Sequence, residues 1–185
     1  NGVLTVKSAE VVFPVSSMLW DTEQTMDGCT SCALVFNGSF VRTSNNKVEY
    51  RTDPKPWLFC VTSEGQLMAG LLGGPYESLS GTNVTCIDAI RGVASLYKDI
   101  DQGLVVFYII NGIVYYNQLI NGIWQGQSLV SIAPSNAVSV HAERTFDWRV
   151  VLQVKDASGV LYEVFSKMAA SGWNGHESLT FKMEM

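Results

Sequence analysis

Apolar residues along this chain fall in short runs rather than at helical spacing. No i, i+3, i+4, i+7 stripe extends beyond ten residues. Segments rich in Val, Ile, Tyr, Phe and Trp are broken every few positions by Gly, Asn, Asp or Ser, which is the pattern of an all-β protein. The clearest element is residues 107–116, "FYIINGIVYY". Asn111-Gly112 predicts a two-residue type I′ hairpin turn, because Asn and Gly accept positive φ at both central positions at little cost. The flanking strands do not alternate apolar and polar, as a hairpin with one wet face would. Both of their faces are expected to be dry.

The chain repeats. "WLFCVTSEGQLMAGLL" (57–72), "LVVFYIINGIVYYNQL" (104–119) and "RVVLQVKDASGVLYEVFS" (149–166) align on Gly65, Gly112 and Gly159, spaced 47 residues apart. Met68, Tyr115 and Tyr162 follow in register. An aromatic in a glycine-rich turn comes next each time: Tyr76, Trp124 and Trp173, trailed by Leu79, Leu129 and Leu179. A further strand precedes each later hairpin, "VTCIDAI" (84–90) and "AVSVHAER" (137–144).

One unit therefore reads strand, two-stranded hairpin, aromatic turn, fourth strand. Four short strands in 40–50 residues suggest a β-propeller blade, whose middle strands lie between neighbouring blades. A β-sandwich of repeated hairpins is the alternative. The expected units are about 40–83, 84–136 and 137–185, with 1–39 an irregular N-terminal strand segment assignable to a first blade. Within the first unit, "SFVRTSNNKVEYRT" (39–52) reads as a hairpin turning at Asn45-Asn46.

Composition narrows the function. Hydrophobic residues make up 47 % of the 185, enough for a large core without disulfides. Charged residues are only 16 % and the net charge is −5, so no cationic face is expected for nucleic acid or for an anionic membrane. Residues 103–124 carry no charge. That stretch is long enough to span a bilayer. Its two Asn-Gly pairs and the adjacent Asn117-Gln118 argue for a buried hairpin instead, and no membrane insertion is expected. The N-terminal "NGVLTVKSAE" has neither a signal-peptide pattern nor an initiator Met, which suggests a processed form or an excised piece.

Four cysteines are present. Cys29-Thr-Ser-Cys32 has the spacing of half a zinc site or a redox pair, but Cys60 and Cys86 stand alone and no βαβ context is visible. Free, mostly buried thiols under reducing conditions are the favoured reading, with a metal site or a disulfide as alternatives.

Catalytic signatures are missing: no H-E-x-x-H, no G-x-S-x-G and no phosphate loop. His141 and His176 sit at different points of the repeat and read as structural. Asp99 and Asp101 resemble a turn more than a calcium loop. No catalytic residue, metal or cofactor is assigned, and no carboxylate pair is singled out for glycosidase chemistry. The aromatics are the ligand-binding candidates: Tyr76, Trp57, Trp148, Trp124 and Trp173. A ring beside amides can hold a sugar. For Trp124 and Trp173 the repeat favours packing between units, with each ring mostly buried. Tyr76, in the least aromatic unit, is expected to be the freest.

The segments "YKDIDQGLVVFYIINGIVYYNQLINGIWQG" (97–126) and "ERTFDWRVVLQVKDASGVLYEVFSKM" (143–168) resemble repeats in virion structural proteins. These belong to the tail, baseplate and tail-fibre region of tailed phages and prophages of Gram-positive bacteria. The shared look is a glycine-turned hairpin with "YY", then "NG-x-W", "T-F-D-W-R-V-x-L-Q-V" and "G-x-L-Y-E-x-F-S". The resemblance covers under half of the chain and carries no catalytic residues. It implies a non-enzymatic structural or binding module of a virion, assembled in the bacterial cytoplasm. The partners implied are other particle proteins and a host-surface carbohydrate, with homo-oligomerisation left open. A stand-alone lectin-like propeller and a glycan depolymerase are the alternatives.

Overall fold

The computed structural model describes residues 3–11, 18–35, 38–42, 45, 48–52, 56–91, 104–120, 122–144, 150–165 and 177–183. They are all-β and contain no helix. Strands β1 (Val3–Val11) and β2 (Met18–Asp27) form a hairpin. Next come β3 (Cys29–Val35), a second hairpin of β4 (Gly38–Arg42) and β5 (Val48–Thr52), then β6 (Trp57–Thr62), β7 (Leu67–Leu71) and β8 (Glu77–Ser80). The central part holds β9 (Val84–Arg91), β10 (Leu104–Ile110), β11 (Ile113–Ile120), β12 (Ile123–Trp124) and β13 (Ser128–Leu129). The last part holds β14 (Ala137–Arg144), β15 (Val150–Asp156), β16 (Leu161–Phe165) and β17 (Glu177–Met183). Residues 103–124, charge-free in the sequence, contribute the β10–β11 hairpin, and no helix among the described residues is long and apolar enough to cross a membrane.

Three antiparallel sheets dominate. The first runs β3-β6-β7-β8, the second β9-β10-β11 with β12 and β13 sharing its last position, and the third β14-β15-β16-β17. No closed ring or barrel is formed among the described residues. The second and third sheets start at Val84 and Ala137. The first differs from the expected 40–83 unit. Its opening strand is β3, at 29–35, and the β4–β5 hairpin is a separate two-stranded insertion before β6. The reason lies in β3: its burial alternates and its exposed positions include Thr30 and Cys32, so it lacks the dense apolar run that marks the other strands. The β4–β5 hairpin, pairing Arg42 with Val48, imitates the start of a unit in sequence without joining the sheet.

The hairpin turns follow from local chemistry. Asn111 and Gly112 have φ of 51° and 78°, and Ile110 pairs with Ile113, giving the two-residue turn that Asn-Gly encodes. The other two turns are one residue longer and match each other. Thr62 N–H donates to Gln66 O at 2.9 Å, as Asp156 N–H donates to Val160 O at 2.9 Å. Gly65 and Gly159 supply the left-handed residue that such a three-residue loop requires, at φ of 77° and 90°.

Strand β10 explains how the molecule is layered. Val105, Phe107 and Ile109 join one core with Val140, Ala142, Leu152 and Val154 of the third sheet. The alternate residues Leu104, Val106 and Tyr108 join another core with Phe59, Val61, Leu67 and Ala69 of the first. The second sheet is thus the middle of a three-sheet stack, and the β10–β11 hairpin is dry on both faces for that reason. Phe107 is 0 % exposed. Burying a side chain of this size contributes about 2–3 kcal/mol.

Neighbouring sheets also meet through one recurring backbone contact. Val84 N–H donates to Gly65 O at 2.9 Å, and Ala137 N–H donates to Gly112 O at 2.8 Å. Each hairpin turn is thereby tied to the first strand of the next sheet. The approach is close: a Cβ on Gly65 would lie 2.8 Å from Asn83 N, and one on Gly112 would lie 2.9 Å from Ser135 O. At Gly159 a Cβ would meet nothing within 4 Å.

Candidate functional site: an aromatic clasp and its neighbours

Two of the sequence-selected tryptophans come together where the first and second sheets meet. Trp57 opens β6, and Trp124 sits in β12 opposite Leu119. Trp57 stacks on Phe59 at 6.5 Å between ring centroids. Trp124 meets Trp57 at 5.9 Å and Phe59 at 5.9 Å, edge-on to both. Edge-to-face pairs of this kind contribute about 0.5–1.5 kcal/mol beyond area burial. The indole Nε1–H of Trp124 donates to Glu77 Oε1 at 2.7 Å, so ring and carboxylate fasten two sheets together. Both tryptophans remain half-buried, leaving part of the cluster open to solvent.

Tyr76 lies apart from this cluster. It is half-buried against Leu58 and Leu72. Its ring crosses Gly70, where a Cβ would lie 2.9 Å from Tyr76 Cδ1. Trp148 and Trp173, like His176, Asp99 and Asp101, lie outside the described residues.

A second clasp joins the second and third sheets. Asp88 Oδ2 accepts from Ala142 N–H at 2.8 Å and lies 2.7 Å from His141 Nδ1. Its Oδ1 accepts from Ala89 N–H at 2.8 Å. His141 is exposed and serves as a partner to this carboxylate. Sequence reasoning missed Asp88 and Glu77. No local signal marks either one, since Glu77 lies 47 residues from Trp124 and Asp88 lies 53 from His141.

Asp156 is occupied in holding the turn between β15 and β16. Asp156 Oδ1 accepts from the Ser158 hydroxyl at 2.7 Å and from the Ser158 and Val160 amides at 2.9 Å each. The Tyr162 hydroxyl donates to its other oxygen at 3.2 Å. The Ser158 hydroxyl first, then these amides and Tyr162, hold the carboxyl below its ordinary range against an opposing effect of burial. Thr62 plays the same part in the first turn, its hydroxyl accepting from Gln66 N–H at 3.1 Å.

All four cysteines are free thiols. Cys32 and Cys60 face one another across the β3–β6 ladder. Burial, with the neighbouring thiol of Cys29, pushes the buried Cys60 up, and partial desolvation beside Cys29 raises the more exposed Cys32 as well, which disfavours the thiolate needed for nucleophilic chemistry. No group of three His, Cys, Asp or Glu suited to a metal occurs among the described residues. Compared with known families, curated proteins and solved structures, the chain matches none.

Proposed function

We propose that this chain is a structural and binding module of a phage tail or related particle, built as a propeller-like run of repeated four-stranded sheets. In this reading it is non-enzymatic, and its exposed edges contact other particle proteins and a glycan of the host surface. The observation that carries the reading is the repeated junction, with Gly65 bound to Val84 and Gly112 to Ala137 in the same way. A unit that fastens to its successor by one backbone contact makes a stiff, extensible scaffold of the kind a particle needs. The likeness of residues 97–126 and 143–168 to virion repeats supports the same assignment, and the free thiols fit assembly in a reducing cytoplasm.

The half-exposed Trp57 and Trp124 favour the lectin-like alternative to the extent that their open edges could take a sugar ring. The depolymerase reading has less support, because Glu77 and Asp88 are engaged in joining sheets.

The test is biochemical. Particles purified by density gradient from a producing strain are expected to contain the chain and to keep it through a high-salt wash. Finding it wholly in the soluble lysate, with particles free of it, would reject the particle assignment and leave the lectin reading.

A further inference from the structure

At the hairpin-turn edge of the stack, an open groove of about 650 Å³ runs between the second and third sheets, within the size range of small-ligand sites. The Trp57–Trp124 cluster does not line it. Its walls come from equivalent positions of two units. Asn83 and Thr85 flank buried Val84 at the start of β9, and Asn136 and Val138 flank buried Ala137 at the start of β14. Asn111 of the type I′ turn stands between them.

Three properties define what this groove can hold. No charged side chain lines it, so an ionic ligand would find no counter-charge. The amides of Asn83, Asn111 and Asn136 are exposed and make no side-chain hydrogen bond among the described residues. Each can both donate and accept. Beside them, Val138 is 50 % exposed, an apolar contact set among amides and hydroxyls.

The backbone beneath is fixed in advance. Ala137 N–H is bonded to Gly112 O at 2.8 Å and Ala157 N–H to Asn136 O at 3.0 Å. Asn83 and Asn111 are the two non-glycine residues with positive φ among the described residues, and both line the groove.

We infer that this groove binds a neutral saccharide, its hydroxyls taken by Asn83, Asn111 and Asn136 and its C–H face laid against Val138. The inference rests on the glycan-contact part of the proposed function and assigns that contact to a definite edge.

The experiment is a ¹H–¹⁵N NMR titration of the whole labelled chain. The probes are glucose, galactose, rhamnose, N-acetylglucosamine and N-acetylgalactosamine, with sialic acid as an anionic control. At least one neutral sugar is expected to shift the amide signals of Asn83, Asn111 and Asn136 and the backbone signals of Val138 and Ala157, while sialic acid does not. Asn136→Ala should weaken binding by roughly tenfold, about the effect of one lost hydrogen bond, and Val138→Arg by at least as much through loss of the apolar contact and obstruction of the groove, with spectra otherwise native. No response across the neutral panel, or a response indifferent to both variants, overturns the groove as a saccharide site. Shifts confined to the Trp57 and Trp124 indoles would overturn the groove while leaving the glycan reading in place at the aromatic clasp. Co-purification with particles is read separately and stands or falls on its own.

Discussion

The two junctions of the middle sheet share one design and differ in their fastening. Both use a turn glycine whose carbonyl accepts from the first strand of the next sheet. The junction with the first sheet adds the indole-to-carboxylate clasp of Trp124 and Glu77. The junction with the third adds Asp88, reaching across to Ala142 N–H and His141. The difference separates two requirements. Backbone must approach backbone closely at every junction, and only glycine permits that. The side-chain fastening needs merely some complementary pair, so it varies.

The sharpest break of the comparison is Gly112→Val. It places a β-branched residue at φ of 78° and drives its Cβ toward Ser135 O. A loss of roughly 3 kcal/mol or more is expected from strain and displacement together. Gly159→Ala, with the same conformational problem and open space, should lose only about 1 kcal/mol. Equal denaturant midpoints for the two variants would remove the junction role of Gly112.

Trp124→Ala tests the other junction. It deletes a half-buried ring that touches Trp57 and Phe59, and about 2–4 kcal/mol should go with it. Fluorescence of Trp57 should change, because its edge-on partner is gone. Asp88→Ala should be milder, about 1–2 kcal/mol, since it leaves Ala142 N–H without its acceptor. Chemical denaturation resolves that difference, and a larger loss at Asp88 than at Trp124 would invert the ranking of the clasps.

Smaller still is a pH effect confined to the third turn. Asp156 is held below its ordinary range, so its ionised form contributes stability above about pH 4, the unfolded value. That contribution is lost as pH falls through the lower folded value. Thermal melts in acid should show a steeper decline for the parent chain than for Asp156→Asn. The smallest effect is expected at Tyr108, fully buried with its hydroxyl unpartnered. Tyr108→Phe should be neutral or stabilising by up to about 1 kcal/mol, and a clear loss would reveal a partner for that hydroxyl.

Legibility in sequence followed locality. The Asn111-Gly112 turn was readable because two adjacent residues determine it. The 47-residue spacing was readable because Gly65 and Gly112 answer the same steric demand in successive units. Strand β3 was hidden, since an inserted hairpin stands between it and its partner β6 and its exposed face breaks the apolar run. Glu77 and Asp88 were hidden for another reason. A carboxylate that bonds a group one repeat away leaves no mark on its immediate neighbours. The groove was the least visible, because an Asn at a turn such as Asn111 is already accounted for by its backbone conformation.

Strand β10, with six consecutive buried residues from Leu104 to Ile109, has a consequence for how the molecule opens. An outer sheet can detach while its own hairpin stays paired, and its amides then exchange with solvent through a local event. The amides of β10 have no such route. They sit between two cores and are paired on both sides to β9 and β11. Their hydrogen exchange therefore demands the loss of both flanking layers, so the protection factors of Val106, Phe107 and Tyr108 report the free energy of the whole stack.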